Sequence, residues 1–172
     1  LVSGSRDKHI IIWKINEDLE RKAETTYGEP FLSLTGHNHF VSDLSLSSDN
    51  THLLSSSWDR SLRLWSLKTG KCLKRFSHVG QKEILSTAFS HDGRQVFSSG
   101  SDKKLSLWNT KGDYVMGSDN TNHSDWVSKI RYSPSQKNKF YASVGWDGEL
   151  KIWTDFFRQA ATVKAHDGPI YA

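Results

Sequence analysis

SSSWDRSLRLW, from Ser55 to Trp65, is the stretch that decides the fold, because the chain carries four versions of it. The others are SGSRDKHIIIW (Ser3 to Trp13), SSGSDKKLSLW (Ser98 to Trp108) and SVGWDGELKIW (Ser143 to Trp153). In every copy one Asp precedes one Trp by six positions, and successive Trp residues fall 52, 43 and 45 apart. A period of ~40–45 residues is that of a four-stranded propeller blade and is too long for ankyrin, tetratricopeptide or leucine-rich units.

Each unit reads as strands. Alternation in Leu62 and Leu64, and in Leu150 and Ile152, places apolar side chains on one face, with Ser, Asp and Gly at the bends. FVSDLSLS (Phe40 to Ser47), HLLSSS (His52 to Ser57) and KCLKRF (Lys71 to Phe76) supply further strands, and helical periodicity is absent. The class is therefore all-β, a β-propeller built of short antiparallel strands. The first interval exceeds the others by about eight residues. That surplus lies in NEDLERKAETTYGEP (Asn16 to Pro30), read as an enlarged, solvated loop between the last two strands of the first blade. The expected division is 1–32 for the end of blade 1 with that loop and its last strand, 33–76 for blade 2, 77–117 for blade 3, 118–164 for blade 4 and 165–172 for the start of blade 5.

Composition agrees with a soluble β protein: of 172 residues 35% are hydrophobic, with seven Trp, eight Phe and only three Pro. No apolar run approaches a membrane span, and LVSGSRDKHIIIW lacks the order of a signal peptide, so an intracellular chain with no membrane partner is expected. Cys72 is the single cysteine and is expected to be a small buried or half-buried residue, not a nucleophile. A net charge of +4 permits contact with phosphate without requiring it.

One constellation looks catalytic. His37, His78, His123 and His166 recur at spacings of 41, 45 and 43, so the second unit owns His37, Ser55 and Asp59 together, the inventory of a hydrolase. Repetition argues against that chemistry, since an active site needs one oriented nucleophile in one pocket. A structural network uses the same atoms: indole and hydroxyl donate, imidazole relays and carboxylate accepts. Its expected members are Ser3, Asp7 and Trp13; His37, Ser55, Asp59 and Trp65; His78, Ser98, Asp102 and Trp108; and His123, Ser143, Asp147 and Trp153. His37 and His39 form an H-x-H pair without a third ligand in zinc-like spacing, and no phosphate-cradling glycine loop is present. The expectation is a protein without catalytic residues, metal, cofactor or small-molecule substrate.

Surface chemistry gathers at the Asp turns. Arg6, Lys8, Arg60, Lys103 and Lys104 flank them, and equivalent turns of a propeller share one rim, where such cations can hold phosphate. For Arg60, Lys103 and Lys104 the simpler reading is that they keep tight turns solvated. Trp58, Trp126 and Trp146 lie outside the repeat-defining Trp positions and serve either as interface anchors or as packing between blades.

With these motifs in place, the chain resembles the WD-repeat family and, within it, the receptors for activated C kinase, scaffolds similar to G-protein β subunits. The resemblance runs through SGSRDKHIIIWK (Ser3 to Lys14), YGEP (Tyr27 to Pro30), LTGHNHFVSDLSLSSD (Leu34 to Asp49), SWDRSLRLW (Ser57 to Trp65), SGSDKKLSLWNT (Ser99 to Thr110), HSDWVSKIRYSP (His123 to Pro134) and GWDGELKIW (Gly145 to Trp153). The general signature is only approximate. Gly-His survives at Gly36-His37 alone, and Trp-Asp is replaced by Trp13-Lys14, Trp65-Ser66, Trp108-Asn109 and Trp153-Thr154. The resemblance implies four blades of a seven-bladed propeller, starting inside blade 1 and stopping inside the first strand of blade 5. Four blades alone would leave sheet faces and edges uncovered, so aggregation or loose packing is expected of this stretch by itself. It also implies a cytoplasmic, ribosome-associated scaffold that docks on small-subunit (40S) rRNA and ribosomal proteins and recruits protein kinases and other signalling proteins to translation, with Arg6 and Lys8 at the rRNA. Two alternatives are a ubiquitin-ligase substrate receptor, whose Trp-Asp-x-Arg motif is not matched by Trp65 to Lys68, and a G-protein β subunit, whose N-terminal coiled-coil helix is not visible.

Overall fold

The computed structural model describes residues 1–15, 28–77, 81–118, 123–134 and 139–172. Within them the chain forms four antiparallel sheets in sequence order, one of three strands and three of four. The first holds β1 (Val2–Gly4), β2 (Ile10–Ile15) and β3 (Gly28–Leu34). The second holds β4 (Val41–Leu46), β5 (His52–Ser57), β6 (Leu62–Ser66) and β7 (Cys72–Phe76). The third holds β8 (Ile84–Phe89), β9 (Gln95–Gly100), β10 (Leu105–Asn109) and β11 (Tyr114–Gly117). The fourth holds β12 (Val127–Tyr132), β13 (Tyr141–Gly145), β14 (Glu149–Thr154) and β15 (Arg158–Lys164), with a short 3₁₀ turn at Asp155–Phe157 before its last strand. Every sheet is a meander in which neighbours in sequence are neighbours in space, the topology that tight turns between short strands dictate. The enlarged loop leaves β2 at Ile15 and returns at Gly28, which are paired in register. Its Asn16 to Tyr27 portion lies outside the described residues.

The apolar side chains do not form one central core. They form three clusters, one at each junction between successive sheets. Ile10 and Leu34 meet Val41, Leu53 and Trp65 at the first. Leu54, Leu62 and Phe76 meet Ile84, Val96 and Trp108 at the second. Phe97 and Leu105 meet Val127, Ile130 and Trp153 at the third. Trp65, Trp108 and Trp153 thus each pack back against the preceding blade. One-faced alternation is accordingly a poor description of β6, which is covered on both sides: Leu62 and Leu64 join the second cluster and Trp65 the first. On β14, in the last sheet, Trp153 is fully buried while Leu150 and Ile152 are half-buried. Outer strands tell the opposite story, with β15 exposed along its whole length.

One expectation needs correcting. Cys72 is exposed, because β7 is the outer strand of its sheet and one of its edges meets solvent. The segment 165–172 is tied to the fourth sheet, with Ile170 N–H donating to Gly145 O at 3.1 Å and Ser128 Oγ donating to Ile170 O.

Candidate binding face

The repeated Ser, His, Asp and Trp close the second and fourth sheets through one directional chain. In the second sheet Trp65 Nε1 donates to Ser55 Oγ at 2.8 Å, Ser55 Oγ lies 2.7 Å from His37 Nε2, and His37 Nδ1 lies 2.8 Å from Asp59 Oδ2. The fourth sheet repeats it: Trp153 Nε1 to Ser143 Oγ at 2.8 Å, Ser143 Oγ to His123 Nε2 at 2.7 Å, His123 Nδ1 to Asp147 Oδ2 at 2.9 Å. Only one assignment of protons satisfies every member: indole N–H to serine oxygen, serine O–H to Nε2, Nδ1–H to carboxylate. The imidazole is then neutral, and burial does hold His123 below its ordinary value of 6.5, outweighing the pull of Asp147. Burial alone would raise Asp59, but hydrogen bonds from His37, Ser61 and Asn38 outweigh it and hold the carboxyl well below 3.8. Asp147 is lowered likewise, with the N–H groups of Glu149 and Ser124 and the His123 imidazole overcoming the cost of burial.

This is the geometry of a Ser-His-Asp triad, yet no substrate can use it. Ser55 and Ser143 are 0% and 1% exposed, and each hydroxyl already donates to imidazole while accepting from indole. The other two units are less complete. Trp108 Nε1 donates to Ser98 Oγ at 2.9 Å, while His78 lies outside the described residues. Burial raises Asp102, with the Lys104 N–H and charge offsetting it only in part. In the first unit Trp13 Nε1 donates to Ser3 Oγ at 2.8 Å, but Asp7 does not join them. Asp7 accepts from His9 N–H at 2.9 Å within its own turn. His166 is exposed, and it joins no such chain among the described residues.

Three acidic or imidazole ligand atoms do converge, on His123, Asp147 and Glu149, all within 4.8 Å of one another. Both His123 nitrogens are committed to the blade, and Glu149 pairs with Lys151 at 3.0 Å, so the group reads as hydrogen bonding. The H-x-H pair is divided in the same way: His37 is inside the chain, and His39 stacks on Trp58 with centroids 5.7 Å apart.

The Asp turns share one geometry. In each, the residue after Asp donates its N–H back three positions: Lys8 to Ser5 O, Arg60 to Ser57 O, Lys103 to Gly100 O, Gly148 to Gly145 O, at 3.1–3.3 Å. Those four residues all have φ between 66° and 76°. From these turns side chains reach the next blade. Arg6 lies over the Phe40 ring at 5.4 Å, Arg60 Nε approaches Glu83 at 3.8 Å, and Lys103 Nζ donates to Ser124 O at 2.7 Å. Lys8 is exposed, and neither it nor Arg6 pairs with a carboxylate among the described residues. Lys104 is exposed beside Asp102.

Two groupings escaped the sequence reading. The first is ionic and spans three inner strands. Asp43 on β4 accepts Arg131 through both carboxylate oxygens, at 2.8 and 3.1 Å, and Lys129 Nζ at 3.0 Å, both from β12, with Ser86 Oγ on β8 also donating to it. These contacts hold its carboxyl below 3.8 against the effect of burial, and the same bond raises Arg131. The phase of the repeat carried a signal, since Asp43, Ser86 and Lys129 each stand two residues after the first residue of an inner strand. The second is aromatic. Trp58, Trp126 and Trp146, which the sequence left between anchor and packing roles, form one continuous wall. Trp58 meets Trp126 edge-on at 6.4 Å, and Trp126 stacks on Trp146 at 4.7 Å.

Comparison with known proteins agrees with the architecture. The family model described as "WD domain, G-beta repeat" matches residues 28–66, 70–109 and 118–154. MST50-interacting protein 11 of Pyricularia oryzae is 47% identical over 153 residues, covering 89% of this chain and 46% of the relative. Cross-pathway control WD-repeat protein 2 of Flammulina velutipes is 46% identical over 153 residues, covering 89% of this chain and 47% of the relative. The chain thus spans about half the length of these relatives.

Proposed function

Because the chain belongs to the WD-repeat family, whose members generally act as non-catalytic scaffolds, we propose that it is part of a docking scaffold that sits on the small ribosomal subunit and brings kinases and other signalling proteins to translation. Its place is then cytoplasmic. The observation that carries the reading is the first turn. Arg6 and Lys8 stand on either side of Asp7 at an exposed rim, without a carboxylate partner among the described residues; Arg6 meets only the Phe40 ring of the neighbouring blade, whereas Arg60 approaches Glu83 and Lys103 donates to Ser124 O. Unpaired cations on a rigid turn suit phosphate oxygens, which position a protein on RNA without reading its bases. Recruitment of proteins has support of another kind, since one relative is named for its interaction with MST50.

The test uses the full-length protein. Arg6→Asp combined with Lys8→Glu is expected to release it from small subunits in a sucrose gradient at moderate salt while its thermal melt is unchanged. Co-sedimentation equal to the unmodified protein would overturn the ribosomal reading. Wild-type association is expected to weaken steeply as salt rises, because phosphate contacts release counterions.

A further inference from the structure

The residues that close the blades recur from unit to unit, but two positions beside them do not. Just before the turn Asp stand Arg6, Trp58, Ser101 and Trp146, and just before the inner strands stand Phe40, Glu83 and Trp126. Within blades 2, 3 and 4 these two positions are joined by a backbone hydrogen bond that does not depend on side chains. Trp58 N–H donates to Phe40 O at 3.1 Å, Ser101 N–H to Glu83 O at 2.9 Å and Trp146 N–H to Trp126 O at 2.8 Å. Blade closure therefore leaves their side chains free to be chosen for something else. Blade 3 uses a polar pair, Ser101 Oγ to Glu83 at 2.6 Å, while blades 2 and 4 use aromatic pairs.

These aromatic pairs converge. With Arg6 and Tyr171 they line an open cavity of about 430 Å³ over the starts of β4, β8 and β12, a size typical of sites for small ligands and side chains, about 300–1,000 Å³. The wall continues from Trp146 to Tyr171, centroids 5.9 Å apart, and Tyr171 is 66% exposed. None of the three indole N–H groups in the wall has an acceptor among the described residues.

Charge selects the occupant. Among the described residues no carboxylate lines the cavity, whereas Arg6 and Lys129 do. Lys129 is committed to Asp43, and Arg6 is not paired with an anion. A cationic guest would lie among aromatic faces but against the uncompensated charge of Arg6, so the bowl opposes it. A nucleobase needs an open aromatic face to stack on, whereas Trp126 and Trp146 cover one another's faces. An apolar ring loses nothing on entry, and free indole donors suit the carbonyls of the backbone that carries it.

We propose that this bowl docks a short acidic peptide segment of a partner protein, which inserts one flat apolar side chain among Trp58, Trp126 and Trp146 and sets a neighbouring carboxylate on Arg6. This goes beyond the ribosomal reading and stands without it, although both make use of Arg6. A displayed library of random ten-residue peptides, selected on full-length protein free of ribosomes, is the test. Selected sequences are expected to place Phe, Tyr, Trp or Pro beside Asp or Glu. Trp146→Ala and, separately, Arg6→Ser are each expected to weaken a selected peptide at least tenfold. Arg6 is exposed, so the second variant keeps the test valid should the first unfold. Basic or ring-free selected sequences, binding indifferent to both substitutions, or displacement of the peptide by a ten-residue oligouridylate from an intact ring would each overturn the proposal. Lys8→Glu, outside the bowl, is expected to reduce ribosome co-sedimentation and leave peptide capture unchanged, which separates failure of one reading from failure of the other.

Discussion

Asp59 is the terminus of a chain of four polar groups, and its worth follows from what it leaves behind. Removing its carboxylate strips acceptors from His37 Nδ1, Asn38 N–H and Ser61 N–H in a site where Ser61 and His37 are buried. Buried donors left unpaired cost about 1–3 kcal/mol each, so Asp59→Ala is expected to lower the unfolding free energy of the full-length protein by roughly 3 kcal/mol in urea titrations. The pH dependence follows from the same atoms. His123 is lowered in the folded state, so the stability it contributes is present above 6.5 and declines below it, as the unfolded chain takes up a proton that the folded blade resists. Asp59, Asp147 and Asp43 are lowered too, so their contribution is present above 3.8 and is lost as the pH falls further. Asp102 is raised, so its contribution is present below 3.8 and declines as pH climbs through its folded value. The expected profile is a gentle loss beginning near pH 6.5 and a steeper one below about 4. His123→Asn is expected to flatten the first part, and an unchanged slope between pH 7 and 5 would contradict the neutral-imidazole chain.

At the scale of one element, the Asp turn decides how a blade doubles back. Its fourth residue must adopt positive φ, which only glycine does without cost, yet three of the four turns place Lys8, Arg60 and Lys103 there. Gly148 takes the position in the fourth blade, and a Cβ there would meet His166 O at 2.2 Å. Gly148→Ala is expected to destabilise by roughly 1–3 kcal/mol, combining the left-handed strain with that collision. Lys103→Gly is expected to be near neutral in a thermal melt, because relief of strain, about 1 kcal/mol, is offset by loss of the bond to Ser124 O. The turns were legible in the sequence because Asp and Trp keep a fixed spacing within one hairpin, so a local signal sufficed. Strand identity was legible for the same reason at β4, β5 and β7. What the alternation of Leu62 and Leu64 could not convey is that both faces of the sheet are covered, since that depends on the angle between blades. The exposure of Cys72 likewise depends on its strand being outermost. The aromatic bowl was equally hidden: Trp58 and Trp126 stand 68 residues apart in the chain and belong to blades that are not sequence neighbours.

Considered whole, the molecule is held by three apolar junctions between sheets and by one ionic tie across the inner strands. Asp43 gathers Ser86 from the next blade and Lys129 and Arg131 from the one after, so it is the one acidic group among the described residues that links three blades at once. Asp43→Ala is expected to cost roughly 1–3 kcal/mol, because it leaves two cations and a buried hydroxyl without their acceptor. Asp43→Asn is expected to recover part of the loss by keeping the bond from Ser86. Equal melts for all three proteins would show that the inner strands are positioned by their apolar junctions alone. The residue preceding each turn Asp gives this arrangement a further consequence. Trp58, Ser101 and Trp146 are anchored by main-chain bonds that any amino acid except proline can make, so blade closure does not dictate the side chains there. New specificities can therefore accumulate at those positions, in nature or by deliberate diversification, while the scaffold beneath them stays the same.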